Sequence, residues 1–182
     1  MVDQGTRRQE DRRMLTSMFR DRDSTERAYR SMRDRGYSDD EINVMMSDAT
    51  RDKYYKDSDV VADTDTKALE GAGTGGAIGG ALGAIVGGIA AIGTNLIIPG
   101  VGIIVWGPIA AALAGAGAGG ATGGLIGALI GWGIPEEHAK HYEEGIRNGG
   151  TVLGVTPRTD EDARYFADEW RNNYHGEDVY GY

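Results

Sequence analysis

Residues 71–87 read GAGTGGAIGGALGAIVG, and residues 115–131 read GAGAGGATGGLIGALIG. The two stretches are identical at 11 of 17 aligned positions, so the chain contains an internal repeat. Glycine recurs at every fourth position of both, a spacing that follows one side of an α-helix and lets a second helix backbone approach closely. We therefore predict ten helix-packing glycines: Gly71, Gly75, Gly79, Gly83 and Gly87 in the first stretch, and Gly115, Gly119, Gly123, Gly127 and Gly131 in the second.

Both repeats lie in a segment without charge. Residues 71–135 contain no Asp, Glu, Lys, Arg or His, and they hold 22 of the 30 glycines. Pro99 and Gly100 lie between the repeats and are a typical turn dipeptide. The pattern therefore predicts a glycine-zipper helical hairpin over residues 69–134, with its turn at Pro99 and Gly100. Pro108 is expected to kink the second arm or to delay its start, because proline fits only the first turn of a helix.

Glycine makes a helical hairpin unstable in water, since each helical glycine costs about 1 kcal/mol relative to alanine. A bilayer offsets this cost because unpaired peptide groups are strongly disfavoured there, and each predicted arm exceeds the roughly 20 residues needed to cross one. Close packing between copies of the chain, or against the rest of the same chain, offsets it as well. The residues leave these three environments open.

The charged flanks have the pattern of one domain cut in two. Residues 13–47 predict strand, helix and strand, and residues 135–172 predict helix, strand and helix. Neither half is long enough to bury a core alone, so we expect them to share one small sheet. The predicted fold class is α/β (α+β), a split β-α-β … α-β-α domain with the hairpin inserted. Residues 48–68 are predicted to be a charged linker, and residues 1–12 and 173–182 mobile tails.

Composition excludes several classes of protein. The 182 residues include 19 Lys and Arg against 28 Asp and Glu, a net charge of −9, which argues against a nucleic-acid partner. The chain has no cysteine, which excludes disulfide scaffolds and thiol nucleophiles. Its charged start, MVDQGTRRQEDRR, offers no apolar core for a signal peptide. We therefore expect a location in the cytoplasm or at the cytoplasmic face of a membrane.

Few side chains suggest a metal-binding or catalytic site. His138 and His141 lie three residues apart on one predicted helix, a spacing that zinc accepts, but no third ligand follows at a known spacing. Asp39, Asp40 and Glu41 form an acidic cluster that we expect to be solvated. No pair of titratable residues is set in apolar sequence that would perturb its pKa values. We predict no catalytic residue, no metal and no cofactor, and hence a protein that is not an enzyme.

Four segments resemble a known family. Residues 19–48 read FRDRDSTERAYRSMRDRGYSDDEINVMMSD, and residues 67–100 read KALEGAGTGGAIGGALGAIVGGIAAIGTNLIIPG. Residues 106–146 read WGPIAAALAGAGAGGATGGLIGALIGWGIPEEHAKHYEEGI, and residues 149–170 read GGTVLGVTPRTDEDARYFADEW. In content and order they resemble the bacterial general stress and low-temperature-induced proteins, a group of heat- and cold-induced stress proteins. The resemblance covers roughly residues 14 to 180. It implies a split α/β domain and a role in the response to heat, cold, osmotic stress or desiccation, and it implies no catalytic residues.

The combined hypothesis is a general stress-response protein whose glycine-zipper hairpin drives self-assembly, insertion into a membrane, or both. Its expected partners are further copies of the chain and membrane lipid, and the residues identify no other protein partner. The alternative is an oligomeric module that binds a ligand or partner through its α/β domain. In that case the hairpin serves only as the oligomerisation core.

Overall fold

The computed structural model describes residues 13–55, 85, 95–98, 102–115, 124–131 and 133–181. These residues form an α+β fold, which confirms the predicted mixed class. The strands are β1 (Leu15–Phe19), β2 (Ile42–Ser47), β3 (Asn95–Ile98), β4 (Ile103–Trp106), β5 (Thr151–Val155) and β6 (Glu177–Tyr180). The helices are α1 (Arg22–Asp34), α2 (Asp48–Tyr54), α3 (Pro108–Gly115), α4 (Gly124–Gly131), α5 (Glu136–Arg147) and α6 (Asp160–Asn172), with a 3₁₀ turn at Asp39–Glu41.

The strands form one antiparallel sheet in the order β3-β4-β2-β5-β1-β6. Strand β5 lies between β1 and β2, with Thr151 opposite both Phe19 and Met46. The two charged halves of the sequence therefore share one sheet. The units β1-α1-β2 and β5-α6-β6 are each a split β-α-β, the arrangement of ferredoxin-like folds.

The central strands β1, β2, β4 and β5 are buried on both faces of the sheet, and alternate residues of each strand reach opposite faces. Leu15 and Phe19 of β1 pack in the layer of α1 and α6, whereas Met18 packs in the layer of α3, α4 and α5. In β4, Trp106 joins the first layer and Val105 the second. Because both faces are covered there, β1, β2 and β5 read as short apolar runs, which is why the sequence predicts them.

The uncharged segment differs from the predicted helical hairpin over 69–134. Its residues Asn95–Ile98 and Ile103–Trp106 are strands that pair with each other, and β4 also pairs with β2. The prediction of a purely helical segment is wrong here, because this stretch is rich in isoleucine and valine, whose branched side chains favour a pleated sheet. Helix α3 begins at Pro108, as expected.

Two further boundary predictions need correction. The tail predicted over 173–182 is wrong, because residues 177–180 form β6, which pairs with β1. The hydroxyl of Ser17 also donates a hydrogen bond to the carbonyl oxygen of Glu177, at 3.0 Å. In the linker predicted over 48–68, residues 48–54 form α2, whose first turn is capped by Ser47. Residues 1–12 and 56–68 lie outside the described residues.

Within the described ranges, no helix has the length and apolar character needed to cross a membrane. Of the uncharged segment, the described helices α3 and α4 have eight residues each.

Candidate functional site

Helix α4 carries two of the predicted packing glycines and presents them on its outer side. Leu125 and Leu129 point into the core and are buried. Gly127, Ile130 and Gly131 are exposed, and Ile130 leaves 44 % of its surface accessible. A Cβ added to Gly127 or Gly131 would meet no described atom within 4 Å. The outer face of α4 is therefore formed by small and apolar residues, and no described atom packs on its two glycines.

Strand β3 is a second uncharged element at the surface. Among the described residues it pairs only with β4, so it forms one edge of the sheet. Its sequence is NLII, and Ile97 is 49 % exposed. Natural edge strands are usually protected from pairing by charge, proline or a covering element. The residues of β3 supply neither charge nor proline.

Of the other predicted packing residues, Gly115 is the last residue of α3. The contacts expected between the glycine repeats stay a prediction, because most of the residues that would make them are outside the described ranges. These are Gly71, Gly75, Gly79, Gly83, Gly87, Gly119 and Gly123, together with the turn residues Pro99 and Gly100.

His138 lies in a polar cluster between α5 and β6. Its Nδ1 is 2.7 Å from a carboxylate oxygen of Asp178, and its ring lies 4.4 Å from the ring of Tyr180. His141, one turn further along α5, is exposed. Within the part of the chain that the structure describes, no three His, Cys, Asp or Glu residues are grouped to hold a metal. The imidazole of His138 thus helps to hold the C-terminal strand on α5.

Tyr142 joins the same cluster from inside the core. Its hydroxyl donates to the carbonyl oxygen of Asp178 at 2.6 Å and lies 2.9 Å from the hydroxyl of Thr16. Because the single phenolic proton is used on Asp178, Thr16 must donate in the second bond. Burial raises the pKa of Tyr142, so the phenol is neutral at physiological pH. Asp178 itself has a φ of 53° at a register shift in β6, typical of a β-bulge.

Replacing Tyr142 with phenylalanine is expected to lower the free energy of unfolding by about 1–3 kcal/mol, because the carbonyl of Asp178 and the hydroxyl of Thr16 both lose a buried partner. Thr16→Val should cost less, and the double variant should cost less than the sum of both, since the variants share one hydrogen bond. Urea unfolding at fixed protein concentration measures all three. Additive losses would show that the two hydroxyls do not interact.

The acidic cluster at residues 39–41 is part of the framework, not a free group of carboxylates. Asp39 accepts a hydrogen bond from the hydroxyl of Tyr29 at 2.7 Å and pairs with Arg33. Glu41 accepts from Arg158 at 2.6 Å, and the hydrogen bonds from Arg158 and Ser38 lower the pKa of Glu41 to about 2. The expectation of a merely solvated cluster is therefore wrong for Asp39 and Glu41, because both connect helices and loops.

A second network joins the two halves of the domain. The hydroxyl of Tyr37 donates to Asp162 at 2.9 Å and accepts from the backbone N–H of Arg158 at 2.7 Å. Burial raises the pKa of Tyr37 to about 12. Although burial opposes it, hydrogen bonds from Arg35 and Tyr37 hold the pKa of Asp162 below its ordinary value. These hydrogen bonds hold α6 and the residues before it against the loop that follows α1.

The residues of β6 that complete the His138 cluster have no clear signal in the sequence, because Glu177 and Asp178 break the apolar alternation that marks a strand.

Comparison with known proteins assigns no family and no function to the chain. No protein-family model, no curated protein and no solved structure matches the chain.

Proposed function

We propose that the chain is a non-enzymatic general stress-response protein that assembles with further copies of itself through the uncharged segment 71–135. In this proposal the charged α+β domain faces the cytoplasm and keeps the assembly in solution or at the membrane surface. The assignment to the stress response rests on the resemblance of residues 19–48, 67–100, 106–146 and 149–170 to the bacterial general stress proteins.

The observation that carries the assembly is the outer face of α4. A surface helix normally presents polar side chains to water, but this one presents Gly127, Ile130 and Gly131. Each exposed helical glycine weakens the helix by about 1 kcal/mol relative to alanine, so packing on this face would compensate an intrinsic weakness. The four-residue glycine spacing supports a helix backbone as the packing partner.

The occupant that we propose is the same face of a second copy. A homo-oligomer places identical uncharged faces against each other, so neither copy has to bury an unpaired charge. The net charge of −9 is carried outside the segment and favours an arrangement with the charged domains apart. Carboxylates of the described domain such as Glu41 and Asp162 are engaged in structural contacts, which supports a role other than catalysis.

Gly127→Leu is expected to abolish assembly while leaving the fold intact. The leucine side chain fills the space that a second backbone would occupy, yet its Cβ meets no described atom of its own chain. Because leucine is a better helix former than glycine by several tenths of a kcal/mol, the dissociated variant should keep the far-UV circular dichroism of the folded domain. Light scattering coupled to size-exclusion chromatography gives the mass of each form in solution.

Asp168→Leu is the matched control, because it adds the same side chain to an exposed position on α6. Gly36→Ala, outside the segment, is also expected to keep the wild-type mass. The proposal is wrong if Gly127→Leu and the wild type elute with equal mass. Recovery of the wild type with membranes after carbonate washing, in place of a defined soluble mass, would identify lipid as the packing partner and overturn the homo-oligomer.

A further inference from the structure

A cleft of about 500 Å³ lies at one end of the sheet. Strands β1 and β2 end there and β5 begins there, so Arg20 follows β1, Ser47 ends β2, and Asn148 precedes β5. Helix α2 adds Thr50 and Lys53, and Arg147 comes from the end of α5. Segments that are distant in the sequence therefore meet around one cavity.

The lining of this cleft is basic in an acidic protein. Arg20, Lys53 and Arg147 line it, and no described carboxylate does, although the chain has 28 acidic and 19 basic residues. Arg20 pairs through Nε with Glu177 at 2.7 Å, and Arg147 pairs with Glu143 at 2.7 Å. Because a guanidinium carries five N–H groups, one acidic partner does not use up its donors. Both arginines can thus hold their pair and still donate into the cleft.

Neutral donors complete the lining. The hydroxyls of Ser47 and Thr50 are 2.8 Å apart, so one hydroxyl proton is used between them and the other is left to donate. Asn148 adds a side-chain amide to the same lining. Gly149 has a φ of 94°, and a Cβ there would point to the hydroxyl of Thr50 at 4.0 Å. Gly149 therefore lines the cleft without a side chain of its own.

We propose that this cleft binds a small phosphate-bearing ligand. Arginine, lysine and hydroxyl side chains around one cavity supply the donors that recognise phosphate oxygens, and several cations match a doubly charged group better than a carboxylate. The volume is in the range of small-molecule sites. The residues that line the cleft lie outside the uncharged segment, so this site is independent of the proposed assembly and is tested separately from it.

Titration calorimetry of the full chain with inorganic pyrophosphate tests the proposal. We expect saturable binding that weakens with added salt, since the attraction is ionic. Lys53→Gln and Arg147→Gln should each weaken binding about tenfold, the equivalent of about 1.4 kcal/mol. The double variant should show no measurable heat. Arg171→Gln removes an equal charge from the exposed end of α6 and should bind as the wild type does.

Two arms of the experiment distinguish a free phosphate compound from a lipid headgroup as the ligand of the cleft. Pyrophosphate binding in solution indicates a free metabolite, whereas co-sedimentation only with phosphatidylglycerol vesicles, and not with phosphatidylcholine vesicles, indicates a lipid headgroup. In either arm the double variant must lose the interaction while its thermal unfolding midpoint stays at the wild-type value. Absence of binding in both arms overturns the proposal, as does binding that Lys53→Gln and Arg147→Gln leave unchanged.

Discussion

Replacing Gly107 with alanine is expected to lower the free energy of unfolding by about 3 kcal/mol or more. Gly107 joins β4 to α3 with a φ of 93°, which disfavours any side chain. A Cβ there would overlap the backbone oxygen of Ile42 and lie 3.0 Å from the Cα of Asn43. Backbone atoms of a central strand cannot move aside cheaply, so β4 and β2 would have to separate.

Gly36→Ala is the control for this prediction. Gly36 has a similar φ of 82°, but a Cβ there meets no described atom within 4 Å. Its loss should be limited to backbone strain, about 1 kcal/mol. Urea unfolding of both variants separates the cost of backbone strain from the cost of steric overlap with β2. Equal losses at the two positions would mean that the start of α3 is not packed against β2, contrary to the close approach of Gly107 to Ile42.

Trp170→Ala is expected to cost about 3–5 kcal/mol, the usual loss for emptying a buried tryptophan site. Trp170 is fully buried, stacks on Phe166 at 5.9 Å and meets the ring of Phe19 edge-on at 5.8 Å. Its carbonyl also accepts from Gly176 at 2.6 Å, which leads the chain into β6. Loss of the ring therefore empties a core site next to the backbone that holds the start of the last strand.

Trp170→Phe is the companion variant. No described group accepts a hydrogen bond from the indole Nε1, so phenylalanine forfeits packing volume but no polar bond. We expect a loss of less than about half that of the alanine variant. Thermal unfolding followed by far-UV circular dichroism measures both. A loss below about 1 kcal/mol for Trp170→Ala would show that this layer of the core is not closely packed.

The central part of the fold could be predicted from sequence because its signals are local. Leu15–Phe19, Ile42–Ser47 and Thr151–Val155 are short apolar runs, and helices α1 and α6 carry apolar residues at helical spacing. That the halves share one sheet followed from their size alone. These elements need only their own side chains and burial to be recognised.

The strands of the uncharged segment could not be predicted from the glycine pattern, because a four-residue glycine spacing indicates helix throughout. Two runs rich in isoleucine and valine, Asn95–Ile98 and Ile103–Trp106, flank a Pro-Gly turn dipeptide, which is also the signature of a β-hairpin. Their choice of strand depends on β2 offering an unpaired edge, and Asn43 of β2 also accepts from the N–H of Ile109 at 2.8 Å to cap α3. Such tertiary support cannot be read from either run alone.

The basic cleft was missed for a different reason. Arg20, Lys53 and Arg147 are far apart in the chain, and each lies among acidic neighbours in sequence. Only the antiparallel pairing of β5 with β1 and β2 brings the ends of these strands together. A charge cluster formed by topology leaves no local pattern, whereas the glycine repeats are a local pattern that the sequence displays directly.

The most direct test of self-assembly is the mass of the full chain in solution, measured by sedimentation equilibrium over a wide range of protein concentration. The account predicts a defined species whose mass is a multiple of 19.4 kDa and which persists on dilution. A single species of 19.4 kDa at every concentration would contradict it, because no second copy would then pack on the outer face of α4.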